Sequence, residues 1–287
     1  DGEMLLRVQG ISATVLGLGY LLLLVAAVTR VVRRRPRATR YPRAALWFSV
    51  RYAWWRPAID WRHPRVLMYH MVSEPVAGAK FNGLRVSPAA FERQLRWLRD
   101  HGFHFATMRD LMEGSVPAKT VAITFDDGYQ DNYTNAFPLL QKYGAKATLY
   151  LVVDRHDRDW STYKKAHHAS GELMREPKLT DAQVREMVQS GVFELGAHTL
   201  THANLPTLDG EAKAREVHGA RQQLEALFGV PVSSFAYPFG IFGDADVEAA
   251  RAAGYSNAVT TVDGIDAHPY ADPLRIRRVK ISGKDNF

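Results

Sequence analysis

From Arg65 onward the sequence predicts a parallel α/β fold, a sheet or barrel of about 220 residues. Three observations carry this: apolar runs of strand length alternate with helical patterns, glycines follow the helix ends, and no internal repeat or low-complexity tract breaks the order. Val66–His70 is the first strand-length run. Ser87-Pro88 then opens a helix over Ser87–His101, a capping serine before a proline in the first turn, and Gly102 follows it. Thr120–Phe125 is the most apolar strand, through Val121-Ala122-Ile123. The helical pattern Thr134–Tyr143 stops at Gly144, and Ala147–Val153 is the next strand. Thr180-Asp181 caps the helix Asp181–Gln189, Gly191 ends it, and Val192–Ala197 follows. Leu208–Phe228, closed by Gly229, precedes the strand Ser234–Pro238. Asp244–Ala253, closed by Gly254, precedes Asn257–Thr261. Arg275-Ile276-Arg277-Arg278 reads as a late strand with exposed cations. In folds of this kind, chemistry sits at the C-terminal ends of the strands.

The composition fits one globular domain with an extension: 287 residues, 46% apolar, 23% charged. The absence of cysteine excludes a disulfide scaffold. A net charge of +7 resembles a nucleic-acid signal until it is divided. Residues 1–65 hold twelve Arg against three acids, and the remainder holds 25 basic and 27 acidic residues. The basicity belongs to one end, so no nucleic-acid partner is expected.

That end has its own reading. Val8 to Thr29 are 22 consecutive uncharged residues, enough helix to span a bilayer core of roughly 30 Å, and residues 1–30 are expected to be a transmembrane anchor. Seven Arg follow within residues 30–43, whereas only Arg7 precedes the span. A signal peptide carries the opposite order. Positive charge stays cytoplasmic, which predicts a single-pass bacterial inner-membrane protein with its C-terminal domain facing the cytoplasm. Residues 31–62 are Arg- and Trp-rich, with Trp47, Val50, Trp54 and Ala58 at helical spacing. They are expected to lie in the headgroup region, so that residues 8–61 contact membrane lipid and 63–287 form the globular domain.

Two constellations carry chemistry. Thr124-Phe125-Asp126-Asp127-Gly128 ends the apolar strand with adjacent carboxylates, one able to ligate a cation while the other acts as a base. His198-Thr199-Leu200-Thr201-His202 ends Val192–Ala197; on a helical turn its two imidazoles would point the same way. With Asp127 they make a two-His, one-carboxylate set that leaves positions open for water and substrate.

The pair resembles the NodB-type polysaccharide deacetylases of carbohydrate esterase family 4, over about residues 63–287. The resemblance implies a distorted (β/α) barrel and metal-dependent removal of N-acetyl groups from amino sugars. It makes Asp126 the general base and Asp127, His198 and His202 the ligands of a divalent metal, usually zinc. Phe235-Ala236-Tyr237-Pro238-Phe239-Gly240 aligns with a third family motif, placing Tyr237 and Phe239 at the oxyanion and substrate. The opening Leu67-Met68-Tyr69-His70 is similar to the poly-N-acetylglucosamine deacetylase branch. Departures are equally plain. Ala236 stands where many members carry an Arg beside the catalytic Asp, the Asp–Trp pair has no match, and the late Leu-x-His is absent. His70 and His268 are then the candidate acids. Arg155–Lys178, with His156, Trp160, His167 and His168, is long enough for a substrate-side flap.

The expected substrate is an N-acetylated amino sugar on a polyprenyl phosphate, since a cytoplasmic-facing domain meets inner-leaflet lipid. Similar deacetylases act on undecaprenyl-phosphate-linked sugars destined for lipid A. The alternatives are an extracytoplasmic deacetylase of a poly-N-acetylglucosamine-like polymer and a non-catalytic sugar- or metal-binding module.

Overall fold

The structure, a computed structural model, describes residues 62–114, 116–158, 171–267 and 271–283. These lie in one compact unit, Asp60–Phe287. The expected anchor and, but for Arg62, the interfacial segment fall outside the described residues, as do Trp160, His167, His168 and His268. Among the described residues no helix is long and apolar enough to cross a membrane.

The elements run β1 (Arg65–Tyr69), α1 (Pro88–Asp100), β2 (His104–Ala106), α2 (Met108–Met112) and β3 (Thr120–Asp127). Next come a π turn (Asn132–Ala136), α3 (Phe137–Tyr143), β4 (Ala147–Leu151), α4 (Glu172–Arg175), α5 (Asp181–Gln189) and β5 (Phe193–Ala197). The last are α6 (Gly210–Phe228), β6 (Ser234–Ala236), α7 (Asp244–Ala252), β7 (Asn257–Asp263) and β8 (Ile276–Lys280). The capping residues do what their chemistry allows: the Ser87 hydroxyl accepts from Ala90 N–H, and Thr180 forms a capping box with Gln183.

All strand pairs are parallel. The order β1-β8-β7-β6-β5-β4-β3 closes when β3 returns to β1, a seven-stranded barrel with β2 added outside on β3. The closure is uneven. Five residues pair across β3–β4 and across β4–β5, whereas β5 and β6 meet only through Ala197 and Phe235. Alternation assigns the faces. Ile123, Phe125, Leu149 and Leu195 face the helices and join the main core. Val66, Ala122, Tyr150, Ala236, Val259 and Ile276 fill the barrel, with Met108 and Leu111 of α2 packed among them. Tyr150 lies across the interior against Gly196, where a Cβ would come within 2.6 Å of its ring.

Candidate active site

Asp126 continues the inward set Ala122 and Thr124, so strand alternation carries its carboxylate into the barrel, 2% exposed. A buried carboxylate must be paired or neutralised. The partner is Arg278, on β8 and wholly buried. Its Nη1 and Nη2 donate to Asp126 Oδ1 and Oδ2, each at 2.7 Å, a two-pronged pairing that a planar guanidinium suits. Nη1 also reaches Thr124 Oγ1 at 3.0 Å, and Nε donates to Thr260 O at 2.8 Å. Burial pushes the Asp126 carboxyl up; the charge and hydrogen bonds of Arg278 outweigh it and hold Asp126 below the usual carboxylate range. This corrects the sequence reading twice. Arg278 is not an exposed cation, and Asp126 does not lack a tuning arginine because Ala236 stands in the third motif. The signal was the period of two: Arg278 shares the inward face with Ile276, while Arg277 points out.

Asp127 turns away from its neighbour because its backbone is left-handed, φ 77°, and Gly128 follows at φ 81°. A side chain at 128 would also strike Leu151, with Cβ to Cδ1 at 2.5 Å, so the glycine of the motif is required twice over. The histidines reach Asp127 differently from expectation. Residues 198–203 do not form a helical turn. They form a loop in which Thr199 (φ 68°) and His202 (φ 58°) are left-handed. Asp127, Thr199, His202 and Phe239 account for four of the six described non-glycine residues with positive φ. Such backbone costs on the order of 1–3 kcal/mol per residue and persists only where neighbours enforce it. Part of the enforcement is visible here: Asp154 N–H donates to Leu200 O at 2.8 Å and Val153 N–H to Thr199 O at 3.3 Å.

The loop brings His198 Nε2 and His202 Nε2 each to 3.3 Å from Asp127 Oδ1, all three side chains buried. His198 Nδ1–H donates to Ala236 O at 2.8 Å, which fixes the ring with Nε2 facing Asp127. Burial pushes the Asp127 carboxyl up, yet the two imidazoles hold it well below the usual range. Two nitrogens and one carboxylate oxygen within 4.8 Å of one another, one imidazole already fixed in its orientation, fit a divalent transition metal.

His70 follows β1 on the same rim, its Nε2 4.0 Å from Asp126 Oδ2. Burial lowers its basicity against the opposing pull of Asp127 and Asp126. Tyr237 is elsewhere: it is wholly buried, its hydroxyl donates to Leu274 O at 3.0 Å, and its ring stacks on Phe242. Its side chain is therefore core, because a phenol that deep keeps its one polar atom on a backbone acceptor. Phe239, at φ 58°, packs edge-on against His202 with centroids 4.3 Å apart. The described ends of the Arg155–Lys178 connection are tied down, Arg155 donating to Leu179 O and Lys178 to Leu173 O, both at 2.7 Å.

Comparison with known proteins agrees with this geometry. The profile of the family described as Polysaccharide deacetylase matches residues 113–258. YxkH of Bacillus subtilis is 32% identical over 225 residues, 76% of this chain and 71% of that protein. A poly-beta-1,6-N-acetyl-D-glucosamine N-deacetylase of Staphylococcus epidermidis is 27% identical over 209 residues, 69% of this chain and 68% of its own. Among solved structures, a polysaccharide deacetylase from Bacillus cereus superposes with a TM-score of 0.66 at 32% identity, covering 78% of this chain and 66% of that one. IcaB from Ammonifex degensii gives 0.62 at 25% identity, covering 77% and 92%. Motifs, barrel and relatives converge, and the chain belongs to the polysaccharide deacetylase family of hydrolases.

Proposed function

We propose that this chain removes the acetyl group from the nitrogen of an N-acetylhexosamine, with Asp126 as general base and Asp127, His198 and His202 holding a divalent metal, zinc by the nature of the donors. One juxtaposition carries the reading: an ionised, buried carboxylate gripped by Arg278, next in sequence to a three-ligand cluster. A metal held by Asp127, His198 and His202 would supply Lewis acidity to the amide carbonyl and to a water. Asp126, its carboxylate oriented by the guanidinium, takes a proton from the attacking water. The backbone N–H at Phe239 serves the oxyanion, and His70 returns a proton to the leaving amine. A non-catalytic module would need the ligands alone. The buried Arg278–Asp126 pair favours the enzyme.

The carrier of the sugar follows from sidedness. Seven Arg after the apolar run 8–29 and one before it favour a cytoplasmic domain acting on a polyprenyl-phosphate-linked sugar in the inner leaflet. A second reading, an exported poly-N-acetylglucosamine-like polymer, is favoured by the substrate in the name of the Staphylococcus epidermidis relative. Metal-dependent acetate release from each substrate tests the chemistry. Protease added to intact spheroplasts tests the side: on the leading reading the domain is cut only after lysis. Cleavage in intact spheroplasts would exclude the lipid-linked substrate.

A further inference from the structure

The loop that delivers His202 is left-handed at Thr199 and at His202 itself, and a relaxed loop would not hold that shape. The backbone of residues 153 and 154 supports it on one side. On another side stands α6. Glu216 accepts from Thr201 N–H through Oε2 at 3.0 Å and from the Thr201 hydroxyl through Oε1 at 2.7 Å. Its own carbonyl accepts from Leu200 N–H at 3.2 Å. Three residues further along the helix, so on the same face, Gly219 makes room for Leu200; a Cβ there would lie 3.1 Å from Leu200 Cδ1. Beyond His202, Ala203 N–H donates to Thr199 Oγ1 at 3.2 Å. Both carboxylate oxygens of Glu216 are thus committed to the residue that immediately precedes the ligand.

We propose that Glu216 is a positioning residue of the metal site: by clamping Thr201 at both its amide and its hydroxyl, it fixes the backbone from which His202 reaches Asp127. The inference rests on the reading of Asp127, His198 and His202 as metal ligands. Outer residues that orient a ligand typically govern affinity by about 10–100-fold, although they never touch the ion. A side chain that merely tied α6 to the barrel would change stability equally with and without metal.

The test is zinc affinity of the full chain in detergent, by chelator competition, together with melting of the metal-free and zinc-loaded protein. Glu216→Ala is expected to weaken zinc binding about 10–100-fold and to shrink the zinc-induced rise in melting temperature more than it lowers the metal-free melting temperature. Glu216→Gln, which can still accept from the amide and pair with the hydroxyl, is expected to restore most of that affinity. If Glu216→Ala does not fold, Thr201→Val removes the hydroxyl arm alone and should weaken zinc in the same direction by a smaller factor. Unchanged zinc affinity in Glu216→Ala, or in Thr201→Val where that variant stands in, overturns the assignment. His202→Ala is the control. If the unmutated chain takes up no zinc, the metal reading falls and the role of Glu216 falls with it.

Discussion

Replacing Arg278 by Met keeps most of the side-chain volume and removes every donor to Asp126. The carboxylate then stands 2% exposed without its counter-ion. Breaking one side of a buried pair typically costs about 3–5 kcal/mol. For a domain of this size, at about 2–4 °C per kcal/mol, the melting temperature should fall by roughly 6–20 °C. Asp126 escapes the cost by taking up a proton. The guanidinium holds the Asp126 carboxyl down, so its loss should move the acid limb of kcat/KM upward. Turnover should drop wherever the variant's Asp126 is protonated, toward the roughly 10²-fold scale of a lost general base. The sign of the stability change with pH also inverts. In the parent, Asp126 is held low and contributes stability that is lost as pH falls through its folded value. In the variant, burial dominates and stability falls as pH rises. The assay is acetate release against pH, with zinc content measured alongside, since Arg278 bonds none of the three ligands. The double variant Asp126→Asn, Arg278→Met should be more stable than Arg278→Met alone, because no charge is left stranded. An unmoved acid limb, or a double variant no more stable than the single, would refute the account.

His198→Ala and His202→Ala should each lose stoichiometric zinc and activity together while circular dichroism reports an intact fold; full zinc occupancy in His202→Ala would remove it from the ligand set. Asp126→Asn should keep its zinc and lose turnover by at least about 10²-fold, and loss of zinc instead would mean the two carboxylates have exchanged roles. Asp131 is raised by burial to about 6, against Val72 N–H and the Ser73 hydroxyl that favour its charged form. It therefore contributes stability that is present below its unfolded value of 3.8 and lost as pH rises through about 6. The loss is at most about 3 kcal/mol before solvent screening, and Asp131→Asn should flatten that part of a urea-midpoint series against pH; an unaltered slope speaks against it.

The two motifs were legible because each ends an apolar strand, and parallel strands of one barrel deliver their C-terminal ends to one rim. What escaped the sequence is nonlocal or short. β2 and α2 are three and five residues long and give no resolvable periodicity. The left-handed backbone of Thr199 has no local signature, since threonine resists that conformation and only its neighbours impose it. Arg278 follows Arg277 in a run with Arg275 and Lys280 that reads as surface, and its inward orientation follows only once Ile276 is known to face the barrel. Tyr237 went astray for the opposite reason. A tyrosine beside a turn looks available, yet the carbonyl that holds its hydroxyl, Leu274 O, lies 37 residues away.

The strand that carries Arg278 is also the one that joins β7 to β1. It is the last described strand in chain order, and until it docks, β1 and β7 each keep an open edge and Asp126 has no counter-ion. A chain lacking β8 would therefore leave Asp126 without its guanidinium as well as its barrel unclosed. Closing the barrel and pairing Asp126 with its guanidinium are thus a single step, which the two ligand-bearing loops cannot replace.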